Sequence, residues 1–422
     1  MSVPYLVAIA SDREMGKLHC GKNAQLTFEY ADRWRATKGA YPLSLSMPLA
    51  AKKHPSGTVT PFLWGLLPDN DGVLEQWGKT YHVSPRNPFA LLSHVGEDCA
   101  GAVQFIRPER VDDVLSKKDD AVTWLSDAEF EERIRDLRRN HAAGRRAGDN
   151  GQFSLAGAQP KTALLFQNDK WGIPSGSIPT SHIIKPPTGA YEGLAENEHF
   201  CLRLAAKLGI PAASSEVMHI GDEIAFVAKR YDRVEVNGNM RRLHQEDFCQ
   251  TLSVMPHSKY QNEGGPGTGE IINVLSERSS KPEDDILTFI RANIFNWIIA
   301  GTDAHAKNFS LLIGAEGSAR LAPLYDIVSS LPYKDIPIQK AKLAMKIGGE
   351  YRVQYIQPRH WARLADSAGV SASDMDALIA EMQAEIKNHT SVIADALKTE
   401  AVDHPVVDTL VKEITKRVKP LK

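Results

Sequence analysis

The segment GTDAHAKN, residues 301–308, follows directly on the apolar run DILTFIRANIFNWIIA. It places Asp303, His305, Lys307 and Asn308 within six positions. Such a density of polar groups makes a poor core, since each one buried without a partner costs roughly 1–3 kcal/mol. The plain reading has Asp303 cap the preceding helix and leaves the others in solvent. A reactive site accounts for the cluster better, because ionisable groups collect where chemistry needs them.

Spacing suggests which chemistry. Phosphoryl transfer from a nucleoside triphosphate needs a carboxylate beside the incoming hydroxyl, metal-binding oxygens, and a lysine on the phosphates. In the protein-kinase signature the catalytic Asp is followed five residues later by a metal-binding Asn, and a second metal-binding Asp lies further on. Asp303 and Asn308 have that spacing, and Asp326 in LAPLYDIVSS supplies the later carboxylate. HIIK, ending at Lys185, reads as a strand closing on a lysine, and Glu198 on the following helical stretch could hold that lysine. Taken singly, Asp326 could be a turn residue and Lys185 a surface lysine; the ordered set is what carries weight. His305 is either a phosphate or nucleotide contact or a satisfied buried histidine, and Lys307 is either solvated or a substrate-phosphate contact. SLAGAQPKT has a glycine, Gly157, whose neighbourhood could cradle phosphate with backbone N–H groups, and Lys161 adds charge. It matches neither common phosphate-loop pattern and could equally be a hairpin turn.

The 422 residues suffice for two or three cores. Hydrophobic residues at 42% and charged residues at 24% describe an ordinary globular chain, and a net charge of -2 gives no global argument for nucleic acid. The cysteines Cys20, Cys99, Cys201 and Cys249 form no CxxC spacing, so neither zinc nor a disulfide framework is indicated. The first residues lack a signal-peptide pattern and no run has the length of a membrane span, so a cytoplasmic protein without a membrane partner is expected.

Along the chain, YLVAIA and AQLTFEY read as strands and TPFLWGLLPDN as a helix, giving an α+β unit over residues 1–148. SDAEFEERIRDLRRNHAAGRRAGDN reads as a helix running into a linker, its arginines a solvated face more than a nucleic-acid surface. Residues 149–248 are strand-rich and residues 249–422 mostly helical. Between these textures PHSKYQNEGGPGTGE suits a mobile loop more than a packed element.

FSLAGAQPKTALL, HIIKPP, ENEHFCLRLAAKLG, FVAKRYDR, HQEDFCQ, GGPG, NWIIAGTDAHAKNFS and APLYDIVSS together resemble the HipA family, the serine/threonine-kinase toxins of bacterial toxin–antitoxin modules. The N-terminal runs PLSLSMPL and LLPD resemble the family's N-terminal subdomain. The resemblance implies a two-lobed protein-kinase-like α+β fold that uses ATP and Mg²⁺. It places the phosphate loop at Ala156, Gly157, Ala158, Gln159 and Lys161, with Lys185 on the α- and β-phosphates. Adenine would lie along the backbone of Lys229, Arg230 and Tyr231, with Asp232 and Gln245 near ribose and base. Asp303 matches the catalytic aspartate; His305 and Asn308 match nucleotide and metal contacts, and Tyr325 with Asp326 closes the site, Asp326 on metal. Ser154 matches the serine that relatives autophosphorylate to switch themselves off. Pro160 departs from the acidic residue of relatives and removes one backbone donor. The implied partners are a HipB-like helix-turn-helix antitoxin, operator DNA chiefly through it, and a protein substrate such as glutamyl-tRNA synthetase. Two alternatives stay open: a small-molecule or lipid-type kinase, and a non-catalytic ATP-binding corepressor.

Overall fold

The structure is a computed structural model that describes residues 5–146, 149, 153–189 and 191–418. The chain divides into two compact units that interleave in sequence. Unit 1 comprises Met1–Pro186, His219–His257 and Leu312–Ala319; unit 2 comprises Pro187–Met218, Ser258–Leu311 and Arg320–Lys422.

Unit 1 begins with a five-stranded sheet ordered β4-β3-β2-β1-β5, from β1 (Tyr5–Ala10), β2 (Arg13–Cys20), β3 (Leu26–Tyr30), β4 (Lys53–His54) and β5 (Gln104–Ile106). Its neighbouring strands all pair antiparallel. The continuous apolar run of β1 follows from burial on both faces. Leu6, Ala8 and Ala10 join the large core with Phe28 and Phe62, while Val7 and Ile9 pack with Ile106 and Val114. Tyr30 is buried there, and its O–H donates to the Met47 carbonyl at 2.6 Å while accepting the Leu43 N–H at 2.7 Å.

A second sheet in unit 1 contains β6 (Ala121–Trp124), β7 (Thr162–Gln167), β8 (Lys170–Ser175), β9 (His182–Lys185) and the strand Glu223–Lys229. β9 lies between β7 and Glu223–Lys229, antiparallel to both, with Ile184 opposite Thr162 and Val227. The expected strand ending on Lys185 is therefore present, in the middle of a sheet.

The arginine-dense stretch follows the solvated-face expectation only in part, with Arg138 and Arg139 exposed. Its helix, Asp127–Arg139, opens with a capping box between Ser126 and Glu129, as the acidic start suggests. Arg133, however, is buried and doubly bonded to Asp149, while Arg138 pairs with Glu223 and Arg146 with Asp136. The side chains of Asp149 and Glu223 are themselves buried, whereas Asp136 stays half-exposed. Residues 147, 148 and 150 of the same stretch lie outside the described residues.

Unit 2 is mostly helical, as expected: Leu194–Lys207, Thr268–Arg278, Pro282–Ile299, Pro358–Ser367, Ala372–Thr399 and Pro405–Arg417. Pro282 at the first turn, followed by Glu283, Asp284 and Asp285, suits a helix N-terminus. The segment expected to be a mobile loop contains short turns, Pro256–Ser258 and Gln261–Glu263, is half-buried or exposed over residues 256–265, and leads into the helix at Thr268. Its glycines accommodate close packing: the Gly265 N–H reaches the Tyr260 carbonyl at 2.9 Å, and Gln261 Oε1 accepts the Lys346 N–H at 2.7 Å. Among the described residues no helix is long and apolar enough to cross a membrane.

Candidate active site

In unit 2 the site is organised by the C-terminal end of the helix Pro282–Ile299. The helix stops at Ala300 in the left-handed region (φ 51°), and the Gly301 N–H donates back to the Asn296 carbonyl at 2.7 Å. A helix end leaves carbonyls unsatisfied. Here Arg417 donates to the carbonyls of Trp297 and Ile298, Ser329 Oγ to Ile299, and Ser330 Oγ to Ala300. The segment after Asp326 is thus tied to the same helix end from which Asp303 departs. Asn197 reinforces it, its side chain accepting from Ser329 N–H and donating to Ser329 C=O.

The five-residue spacing now has a geometric meaning. The Asp303 carbonyl accepts the His305 N–H at 2.8 Å, the His305 carbonyl accepts the Asn308 N–H at 2.9 Å, and Asn308 Nδ2 donates to the Asp303 carbonyl at 2.8 Å. The asparagine closes the turn with its amide nitrogen, which turns Oδ1 into its remaining acceptor. Asp303 is no helix cap. Its carboxylate, 61% exposed, accepts the Tyr260 O–H on Oδ1, with His305 Nε2 3.9 Å from the same oxygen. Tyr325 donates to the Lys307 carbonyl at 2.7 Å and lies 2.6 Å from Ser310 Oγ, fixing the following strand against the turn. Asp326 has φ 56°, a conformation that L-residues adopt at a cost of about 1–3 kcal/mol. Asp303, Asn308, Tyr325 and Asp326 line one cleft together with Asn296 and Gly301. Glu198 is buried in the helix Leu194–Lys207.

In unit 1 the segment at Ala156–Lys161 lies on the N-terminal subdomain. The Gly157 carbonyl accepts the Asp69 N–H at 3.1 Å, Gly157 has φ +102°, and Lys161 Nζ donates to the Ala156 carbonyl at 2.9 Å. Gly157, Ala158, Gln159 and Lys161 line a cleft with Pro68, Trp77 and Arg145. Ser154, just before, is fully buried; its Oγ donates to the Leu66 carbonyl at 2.7 Å. Lys185 is buried at the end of β9 with its Nζ 5.3 Å from the Phe226 ring centre.

The stretch after Glu223–Lys229 is held from inside. Arg230, Asp232 and Arg233 are buried. The Asp232 carboxylate accepts from Arg230 and Arg233 at 2.9 Å and from the Gly101 N–H at 2.8 Å. The hairpin Arg233–Val236/Asn239–Arg242 pairs Arg233 with Arg242, which brings both guanidinium groups to Asp98 Oδ1 at 2.9 Å. Thr180 completes the set at 2.7 Å from Oδ2. Burial alone would raise the pKa of Asp98, but Arg233, Arg242 and Arg230 reverse that and hold it well below the usual carboxylate range. Asp232 is likewise lowered despite its burial, by Arg230 and Arg233. The side chains of Arg230 and Asp232 are thus engaged within the protein. Tyr231 is partly exposed, and its O–H bonds Gln245 Oε1. Lys229 is exposed.

Sequence reasoning missed Tyr260, Asp98 and the serines at 329 and 330. A lone tyrosine in a Gly- and Pro-rich polar stretch was the available signal for the first; the others gave none.

Residues 153–390 match the HipA-like C-terminal domain, and residues 6–106 the HipA N-terminal domain. A candidate kinase of Sinorhizobium fredii is 35% identical over 374 residues, 88% of this chain and 87% of that protein. The serine/threonine-protein kinase toxin HipA of Shewanella oneidensis is 29% identical over 81% of this chain and 78% of its own length. A solved Shewanella oneidensis HipA structure, from a complex with HipB and operator DNA, matches with a TM-score of 0.82 at 24% identity, covering 98% of this chain and 96% of that one. The fold is accordingly the kinase-like α+β fold of HipA. By the match of its C-terminal domain across more than half its length, the chain belongs to the HipA family.

Proposed function

We propose that this chain is a serine/threonine-protein kinase toxin that transfers the γ-phosphoryl group of ATP to a protein hydroxyl. The observation that carries the reading is the Asp303–Asn308 turn, which opens with Asp326 onto one cleft. Asp303 accepts the proton of the attacking hydroxyl as its oxygen bonds to the γ-phosphorus and the bond to the bridging β-γ oxygen breaks. The oxygens of Asn308 and Asp326 form a donor set suited to Mg²⁺, a hard cation usually held by one or two protein oxygens plus phosphate and water. When bound, Mg²⁺ neutralises charge on the phosphates. His305 contacts nucleotide.

Lys185 and the loop Ala156–Lys161, through Gly157, Ala158, Gln159 and Lys161, receive the phosphates, with Glu198 as support for the lysine. The backbone of Lys229, Arg230 and Tyr231 holds adenine, with Gln245 nearby. Asp232 contributes through main chain and by fixing Arg230, since its carboxylate is already engaged. The domains follow residues 1–148, 149–248 and 249–422.

The biological reading follows from relatives. A Shewanella relative is named as a toxin, and the solved HipA occurs with HipB and operator DNA. A HipB-like antitoxin, operator DNA bound through it, and cytoplasmic action on an aminoacyl-tRNA synthetase, leading to arrested translation and dormancy, are therefore proposed here. Ser154 is the proposed self-inactivating acceptor, because a phosphate there adds about -1.5 to -2 charge beside the phosphate loop.

The test is phosphoproteomics after brief expression of the wild type and of Asp303→Asn. A synthetase peptide phosphorylated only by the wild type is the expected result. Equal phosphorylation by both chains removes Asp303 from the mechanism, and label confined to small molecules removes the protein acceptor.

A further inference from the structure

The Tyr260 O–H donates to Oδ1 of Asp303, and nothing in the kinase reading so far requires it. An aspartate on a loop with 61% of its side chain exposed has a broad, roughly two-fold χ2 preference, so left to itself its carboxylate samples many orientations. A general base works only when the acceptor proton lies within hydrogen-bond reach of a suitably directed oxygen. One donor on one oxygen removes that rotational freedom.

The geometry points to Tyr260 as the positioning residue of the proposed catalytic base: its phenol pins Oδ1 and so directs Oδ2 of Asp303 toward the acceptor hydroxyl. The inference rests on the reading of Asp303 as base. Tyr260 is itself held on several sides. Its ring meets the His305 ring edge-on at 4.9 Å and 87°, and His305 Nε2 lies 3.9 Å from the same Oδ1. Its carbonyl accepts the N–H groups of Glu263 and Gly265, each at 2.9 Å. The next side chain, Gln261, is anchored on the Lys346 N–H of the strand Lys342–Ile347. A phenol meant to swing aside for each acceptor would need a looser mount. The Gly- and Pro-rich segment around it is a support for the base, and its glycines allow the tight turns that bring residue 260 back to Asp303.

The experiment measures ADP release at varied ATP, which counts transfer to every acceptor including water, for the full-length wild type, Tyr260→Phe and Asp303→Asn. Phenylalanine keeps the ring against His305 and removes only the donor. The expected result for Tyr260→Phe is a kcat lower by about tenfold, equivalent to ~1.4 kcal/mol of barrier, with the KM for ATP and the thermal midpoint unchanged. An unchanged kcat overturns the inference. A raised kcat also overturns it, and would make the phenol a competitor of the acceptor. A kcat loss accompanied by an equal loss of thermal stability assigns Tyr260 to the fold alone. If Asp303→Asn releases ADP at the wild-type rate, the base reading has failed instead, so the two failures are separable.

Discussion

The main-chain N–H of Ser154 donates to the carbonyl of Asp98 at 3.0 Å, while the carboxylate of Asp98 gathers Arg233 and Arg242 at 2.9 Å. One residue of the N-terminal subdomain therefore holds both the serine that precedes the proposed phosphate loop and the hairpin that follows the proposed adenine-binding backbone. Asp98→Asn removes a charge that, with Asp232, compensates the buried Arg230 and Arg233 and the half-buried Arg242. Breaking a buried ion network in this way typically costs about 3–5 kcal/mol. A large drop in the thermal midpoint, with faster amide exchange at Ser154, is expected. The carboxylate's pKa is depressed in the folded chain, so its stabilisation is present above the ordinary carboxylate pKa and fades as pH falls; the gap between wild type and variant should narrow toward acid.

Ser154 is wholly buried with its hydroxyl on the Leu66 carbonyl. No phosphate can be added to it in that position, so labelling requires the segment to leave its seat first. Ser154→Ala should cost about 1–3 kcal/mol, because it leaves the buried Leu66 carbonyl without this donor. Ser154→Asp places a carboxylate against the Leu66 carbonyl that Ser154 Oγ donates to, and should release the segment. Limited proteolysis with mass spectrometry checks this: cleavage between residues 153 and 161 should rise sharply in Ser154→Asp and little in Ser154→Ala.

A β-carbon on Gly301 would stand 2.3 Å from Asn296 Oδ1. Asn296 cannot easily turn away, because its Nδ2 donates to the Ala292 carbonyl at 2.9 Å within the helix. Gly301→Ala should therefore displace the turn that carries Asp303 while leaving the helix intact. An ångström-scale misplacement at a reacting group can cost on the order of a hundredfold in rate. Measured ADP release should fall tenfold or more, with circular dichroism unchanged.

These consequences were unevenly legible in the sequence. Periodicity exposed the strand closing on Lys185, the helix around Glu198 and the helical C-terminal half, because each follows from the spacing of apolar residues along the chain. The Asp303–Asn308 spacing was visible, and its cause, an asparagine reaching back to a carbonyl, is a local turn. Long-range partners left no mark. Nothing in the local sequence says that Arg233 and Arg242 meet Asp98 across more than 130 positions, or that Arg133 is turned inward onto Asp149. Glycine and proline content marked the turns around Tyr260, but not that one of them, at Gly265, brings backbone close to the Ser258 carbonyl. Composition reports which turns a backbone can make; it does not report what those turns hold.

Glu246 offers a test in the opposite electrostatic direction. It is buried in unit 1, with Oε1 accepting the Leu45 N–H at 2.8 Å, and burial pushes its carboxyl up from 4.5 to about 7. Hydrogen bonds from Ser44, Leu45 and Thr251 offset only part of that, and the neighbouring Asp247 adds to it. Because the folded chain keeps its proton longer than the unfolded one, stability falls as pH rises from about 4.5 to about 7 and then levels off. At ~1.4 kcal/mol per pH unit the full difference is about 3 kcal/mol. Glu246→Gln keeps an oxygen for the Leu45 N–H and carries no titrating proton. Urea unfolding of both chains from pH 4 to 8 should show nearly equal stability at the acid end and a growing advantage for glutamine up to pH 7. Parallel curves across that range would mean that Glu246 is ionised in the folded chain and stabilised by the hydroxyls and N–H around it.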